Sequence, residues 1–235
     1  MPKAVFVPGL LCTDELFSPQ MDIFSSALEI AIGDHRSDDD FTQMAKCILG
    51  NAPDKFVYAG LSMGGYAGFE ILRQAPERIE ALILMNTSAR ADTPEQTGKR
   101  KGLIAMAQSQ GLDAVAEVLL PLFLAERHHG DKNLTDAVRR MSADTGLDAF
   151  LTQEAAIMGR VDSRNSLGAI SCPTLVIVGE EDTLTPPELA LEIADGIPGA
   201  ELKVIDDCGH LSSIEKPDAV SQAIKSFLEG AGISG

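Results

Sequence analysis

The sequence predicts an α/β fold: a mostly parallel, doubly wound sheet of about six strands with a helical insertion above one of its edges. Three observations carry this. Short apolar runs rich in β-branched residues recur along the 235 residues, and amphipathic segments of helical period separate most of them. The alternation then breaks once, between Asn86 and Cys172, where no strand is evident. Strand, helix, strand in series requires parallel pairing, because a crossover helix is what returns the chain to the same end of the sheet.

In order along the chain, strands are expected at 4–7, 28–32, 56–60, 80–85, 174–178 and 201–205. Each run is near-continuously apolar rather than alternating, as strands covered on both faces require. Helices are expected at 16–28, 41–51, 65–74, 187–196 and 217–228, each with apolar residues recurring every three to four positions. The interval without strands holds helix-like stretches punctuated by Gly98, Gly111, Pro121, Gly130 and Gly146. An insertion of this size, entering and leaving at strand ends, is expected to form a lid over the sheet's carboxyl edge, where open α/β sheets bind ligands. The chain therefore divides into a core of residues 1–86 and 173–235 and a helical lid of residues 87–172.

Composition narrows the function classes. A formal net charge of −16 leaves no broad basic face for nucleic acid or for an anionic membrane surface. No apolar run approaches the roughly 18 residues that span a bilayer. The run at 118–125 is short and interrupted by Pro121. The opening residues Met-Pro-Lys-Ala-Val-Phe-Val enter a strand-like run without a signal-peptide layout, so a cytoplasmic location is expected. Cys12, Cys47, Cys172 and Cys208 are scattered, with no CxxC and no histidine at ligand spacing, so neither a disulfide framework nor a metal site is expected. Residues 87–172 carry ten basic against eleven acidic side chains, the remainder nine against 24, so the core is the acidic part.

The chemistry starts at Gly60-Leu61-Ser62-Met63-Gly64, which follows the apolar run at 56–59 and opens a helical stretch. A serine in a tight turn between strand and helix needs minimal side chains two positions to either side, or the backbones collide. Such a turn lifts the hydroxyl clear of the sheet and aims helix-start amides, including that of Met63, at the reacting centre. A serine hydroxyl is a poor nucleophile until a base takes its proton. Of the four histidines, His128 and His129 read as surface residues of the insertion and His35 as a solvated loop residue. His210 lies in Asp206-Asp207-Cys208-Gly209-His210 at the carboxyl end of the last strand, where it can meet Ser62.

The orienting acid is expected after the fifth strand, where Glu180, Glu181 and Asp182 are all candidates. Asp182 is favoured, because Gly179 turns the chain over the sheet edge before it and Thr185-Pro186 starts the next helix after it. The oxyanion donor is expected in Phe6-Val7-Pro8-Gly9-Leu10, with the amide of Leu10 as partner to that of Met63. If the sheet runs 2-1-3-4-5-6, the first and third strands flank the switch point, and the loops carrying Leu10 and Ser62 sit side by side.

These segments together resemble the α/β-hydrolase superfamily over nearly the whole chain. Val7-Pro8-Gly9-Leu10 corresponds to its oxyanion loop, Gly60 to Gly65 to its nucleophile elbow, Gly179 to Pro186 to its acid loop, and Gly209-His210 with Glu215 and Pro217 to its histidine loop. The resemblance implies a Ser62–His210–Asp182 triad without cofactor or metal. Within the superfamily, His210-Leu211-Ser212-Ser213-Ile214-Glu215 and the lid layout are similar to those of 3-oxoadipate enol-lactonases. The chain departs from the family pattern in having Pro8-Gly9 where His-Gly is common, an acidic stretch from Asp34 to Asp40 after the second strand, and no tryptophan.

The expected function is cleavage of a carboxylic ester of a small molecule through an acyl-enzyme on Ser62, by a monomer or small homo-oligomer. A serine at 62 disfavours the dehalogenase and epoxide hydrolase chemistries of this fold, which use a carboxylate nucleophile. One alternative is hydrolysis of an anionic enol-lactone, toward which lid cations such as Arg90, Arg127, Arg139, Arg140, Arg160 and Arg164 would contribute. An alternative of another class is a non-catalytic ligand-binding protein on the same fold. Passive packing is the expectation for Cys12 and Cys208, which lie close in sequence to site residues.

Overall fold

In the computed structural model, which describes residues 1–233, each of the six apolar runs becomes a strand. They are β1 (Lys3–Val7), β2 (Glu29–Ile32), β3 (Phe56–Leu61), β4 (Ile79–Met85), β5 (Thr174–Gly179) and β6 (Glu201–Ile205). Among the described residues they form one sheet of order β2-β1-β3-β4-β5-β6, and every pair is parallel. The order reverses at β1, so β1 and β3 are the neighbours at the switch point, with Val7 opposite Gly60.

Burial follows position in the sheet. All residues of β3 and β5 are buried, and β1 and β4 each expose one residue near the start. Cover on both faces fails at the edges: β2 alternates exposed and half-buried positions, and β6 buries only Ile205. An edge strand has a single neighbour and escapes part of the helical cover. The Glu and Lys side chains of β6 suit such a place, since they discourage pairing with another chain.

The crossover helices are α1 (Ser18–Phe24), α2 (Phe41–Asn51), α3 (Met63–Gln74) and, between β5 and β6, α8 (Pro187–Gly196). The first is shorter than its apolar pattern: a 3-10 turn at Asp14–Phe17 precedes it, and Pro19, which has no amide to donate, enters at its start. Between β4 and β5 stand α4 (Pro94–Gln110), α5 (Leu112–Phe123), α6 (Lys132–Thr145) and α7 (Leu147–Gly159). Gly111 and Gly146, at φ 88° and 79°, separate these helices. Gly98 and Pro121 do not act as breaks and lie inside α4 and α5. The chain closes with α9 (Ser212–Glu215) and α10 (Pro217–Gly230), which packs against α1. Among the described residues, no helix is long and apolar enough to cross a membrane.

Candidate active site

Among the described residues, four other than glycine adopt positive φ: Leu11 (57°), Ser62 (55°), Asn86 (46°) and Asp207 (56°). Each lies just past the carboxyl end of a strand, β1, β3, β4 and β6 respectively. Left-handed backbone is unfavourable for L side chains, and such strain concentrates at functional sites. The strained residues therefore mark the same sheet edge at which open parallel sheets bind ligands.

Ser62 sits between β3 and α3 with φ 55° and ψ −111°. The turn is tight enough that a Cβ on Gly60 would strike Gly64 O, and one on Gly64 would strike Val7 O. Ser62 O accepts from Gly65 N (2.9 Å) and from Thr87 Oγ1 (2.7 Å), which fixes the turn from inside and outside. Met63 is the first residue of α3, so its amide has no intrahelical acceptor. The loop after β1 runs alongside: a Cβ on Gly9 would lie 3.3 Å from Ser62 Cβ. The amides of Leu10 and Met63 donate to no acceptor among the described residues.

His210 is buried on the loop between β6 and α9. Its amide donates to Phe123 O (3.1 Å), and its ring stacks on Phe123 with centroids 6.0 Å apart and planes at 15°. His210 Nδ1 lies 2.8 Å from Asp182 Oδ2. With the Nδ1 proton given to that carboxylate, Nε2 carries the lone pair. Ser62, His210 and Leu10 line one cavity, although the serine hydroxyl and the imidazole are not hydrogen bonded in this conformation. Catalytic bonds are often long in ligand-free sites and tighten when substrate arrives.

Of the three candidate acids, Asp182 alone reaches the histidine. Glu180 is exposed near the Asp207 amide, and Glu181 pairs with Arg127 at 2.7 Å. Asp182 Oδ2 accepts from His210, from Asn86 Nδ2 (2.9 Å) and from Thr185 Oγ1 (2.7 Å). Its Oδ1 accepts from the amides of Leu184 (2.9 Å) and Thr185 (3.0 Å). Burial works against the charged form, but His210 and these donors outweigh it and hold the carboxyl below the usual aspartate range.

Asn86 and Thr185 are functional neighbours that sequence reasoning missed. A signal existed: Asn86 follows a strand directly, and Leu184 and Thr185 stand two and three residues after an aspartate, within reach of its carboxylate in a turn. The other histidines also differ from expectation. His35 is buried, its Nε2 2.9 Å from Cys12 O and its Nδ1 3.2 Å from Gly33 O. Burial pushes its pKa down, so the neutral ring donates through the shorter contact. His128 Nδ1 meets the buried Glu215 Oε2 at 2.8 Å, and His129 Nε2 meets Leu124 O at 3.0 Å; both rings are half-buried. Cys12 is buried with its thiol pushed up to about 12, and burial likewise raises Cys208, so neither is an activated thiolate.

The cavity has a volume of about 370 Å³. Leu103, Leu119, Leu122, Phe123 and Ile157 from the inserted helices form an apolar wall, and Leu189 adds to it from α8. Arg90, Lys99, Arg100 and Arg160 also line it, and none of its described lining residues is Asp or Glu. Arg100 is held by the buried Asp92 (2.8 Å) and Glu154 (3.0 Å), Arg160 by Asp92, and Arg90 by Glu192 (2.9 Å). The other arginines of residues 87–172 pair elsewhere: Arg127 with Glu181 and Asp207, Arg139 with Glu117, Arg140 with Glu15 and Arg164 with Asp162.

A family model described as alpha/beta hydrolase fold matches residues 35–217. A thermophilic esterase from Thermogutta terrifontis, solved with malate bound, has a TM-score of 0.89 and 28% identity, covering 98% of this chain and 90% of that one. The enol-lactonase from Burkholderia xenovorans has a TM-score of 0.88 and 26% identity, covering 97% and 91%. The 2-hydroxy-6-oxononadienedioate/2-hydroxy-6-oxononatrienedioate hydrolase of Klebsiella pneumoniae is 29% identical over 188 residues, which are 76% of this chain and 64% of that protein.

Proposed function

The chain belongs to the alpha/beta hydrolase family and is a hydrolase, and from that premise we propose that it cleaves a carboxylic ester of a small molecule through an acyl-enzyme on Ser62. The observation that carries this reading is a strained serine sharing one cavity with a histidine whose far nitrogen is bound to a buried carboxylate. In the forward step Ser62 Oγ attacks the acyl carbon while His210 Nε2 takes its proton. Asp182 keeps the ring in the required tautomer and stabilises the imidazolium that forms. The amides of Leu10 and Met63 receive the developing oxyanion, and each such donor is worth on the order of 10²–10³ in rate. His210 then gives its proton to the leaving alcohol, and water attacks the acyl-enzyme by the same relay.

In this reading residues 1–86 and 173–235 form the catalytic core, and residues 87–172 form a lid that supplies most of the apolar wall and excludes water. No cofactor enters the scheme. Intact-mass analysis after treatment with a fluorophosphonate tests it. One adduct on the natural chain and none on Ser62→Ala is the expected result, with esterase turnover lowered by several orders of magnitude in the variant. Full activity in Ser62→Ala would overturn the assignment, and no adduct on either chain would favour a non-catalytic binding protein.

A second reading, hydrolysis of an anionic enol-lactone, is supported by the four cations and no carboxylate among the described cavity-lining residues. The likeness to an enol-lactonase agrees with it. An ester or lactone bearing a carboxylate should then show a higher kcat/KM than a neutral one of equal size. Equal values would remove this reading.

A further inference from the structure

The loop that carries Leu10 is a closed turn. Cys12 N–H donates to Gly9 O at 3.2 Å, Leu11 at the third position has φ 57°, and Leu10 is not among the positive-φ residues. This is the pattern of a type II turn, whose third position ordinarily falls to glycine or asparagine. Leucine there is disfavoured, so something outside the turn must hold it. The central peptide's N–H, that of Leu11, is buried and donates to Gln153 Oε1 at 3.1 Å, from α7 and 142 residues away in sequence. Gln153 is fully buried, and its Nε2 donates to His35 O at 3.2 Å. The His35 ring in turn donates to Cys12 O at 2.9 Å, on the far side of the same turn.

The chemistry of the arrangement is specific. Without an acceptor at 153, the Leu11 amide would be buried and unsatisfied, which is costly. Rotating the Leu10–Leu11 peptide toward a type I turn would relieve the positive φ at Leu11 and free that amide from its empty position. The rotation turns ψ of Leu10 and φ of Leu11, and because Cys12 O is held by His35 the turn must readjust at Leu10, next to Ser62. We infer that Gln153 is a positioning residue, holding the Gly9–Cys12 turn in the form that presents the Leu10 amide to an oxyanion on Ser62. This rests on the acyl-enzyme reading given above. Because Gln153 stands on α7, it also ties a complete oxyanion site to the seating of the inserted helices on the core.

Gln153→Met tests this, since it preserves length and volume and removes both hydrogen bonds. Hydrolysis of a short-chain p-nitrophenyl ester and inhibition by phenylboronic acid, which forms a tetrahedral adduct on serine, are measured for this variant and the natural chain. The expected result is a fall in kcat on the order of 10- to 100-fold, with KM within about threefold. Boronic acid affinity should weaken in step with kcat/KM. Gln153→Glu retains an acceptor for the Leu11 amide and should lose less kcat than Gln153→Met. Unchanged kcat in Gln153→Met, a loss confined to KM, or equal losses in the two variants would overturn the inference. Ser62→Ala run in parallel separates the two readings: an inactive Ser62→Ala beside a fully active Gln153→Met removes only the role of Gln153. Activity retained in Ser62→Ala removes both.

Discussion

Asn86 joins three segments through one side chain. Its Nδ2 donates to Asp182 Oδ2 and to Gly209 O, and its Oδ1 accepts from Ser212 Oγ at 2.6 Å. The acid loop and the histidine loop thus share a buried polar anchor at the end of β4. Replacing Asn86 by Ala leaves a carbonyl and a hydroxyl without partners, at a cost of about 1–3 kcal/mol. It also weakens the support of Asp182, whose folded pKa lies below the ordinary aspartate value. A depressed carboxylate contributes stability that is present above its unfolded pKa of about 3.9 and is lost as pH falls through the lower folded value. Asn86→Ala shrinks the depression, so acid unfolding followed by circular dichroism should begin at a higher pH than in the natural chain. An unchanged acid transition would show that Asn86 does not sustain the carboxylate. The residue types around Ser62 were legible in advance because GxSxG is a local steric requirement. Asn86 was not, because its value lies in partners 96 and 123 residues away.

Between β3 and α3, the elbow works only if two backbones can nearly touch. Gly64 stands where a Cβ would meet Val7 O of the neighbouring strand. Gly64→Ala must therefore push α3 away from β1 or bend the elbow, and overpacking of this kind costs about 1–3 kcal/mol or more. The expected outcome is a lower Tm together with reduced fluorophosphonate labelling at Ser62. A Tm equal to that of the natural chain would mean the elbow yields without strain. At this scale the sequence reading held for β1, β3, β4 and β5 and for α2 and α8, whose bounds follow the apolar period. It overran at α1, where local proline chemistry set the start, and it misjudged cover on β2 and β6. Sheet edges are assigned by strand order, which no single apolar run encodes. The histidines followed the same logic: His35 and His128 lie in polar stretches, yet each is enclosed by an element distant in sequence.

Taken whole, the molecule carries a net charge of −16 around a cavity lined by four cations. These two fields act oppositely on an anionic substrate. The outer charge repels it at long range and is screened by salt, whereas the inner cations are partly buried and are screened much less. Arg160 is 6% and Arg100 20% exposed in their side chains, with Asp92 and Glu154 packed behind them. Burial pushes the Glu154 carboxyl up despite Arg100, and Arg100 and Arg160 both pair with Asp92. On the anionic-substrate reading, a preference for a carboxylate-bearing ester should persist at about 0.5 M salt, with its kcat/KM rising rather than falling. A preference abolished by salt would assign it to exposed charges such as Lys99.

Taken alone, the sequence determined the alternation that makes a parallel sheet, the tight turn at Ser62, and the residue types able to serve as base and acid. All of these follow from short-range constraints: side-chain period, steric limits of a turn, and the chemistry of single side chains. Tertiary structure alone decided which side chains support Asp182, how far β2 and β6 are left uncovered, and where the cavity cations find their counterions. It also decided that Gln153 and His35 clamp the turn beside Ser62. The physical reason is that a hydrogen bond or ion pair depends on distances of about 3 Å between groups brought together by the whole fold, and separation along the chain carries no record of that approach.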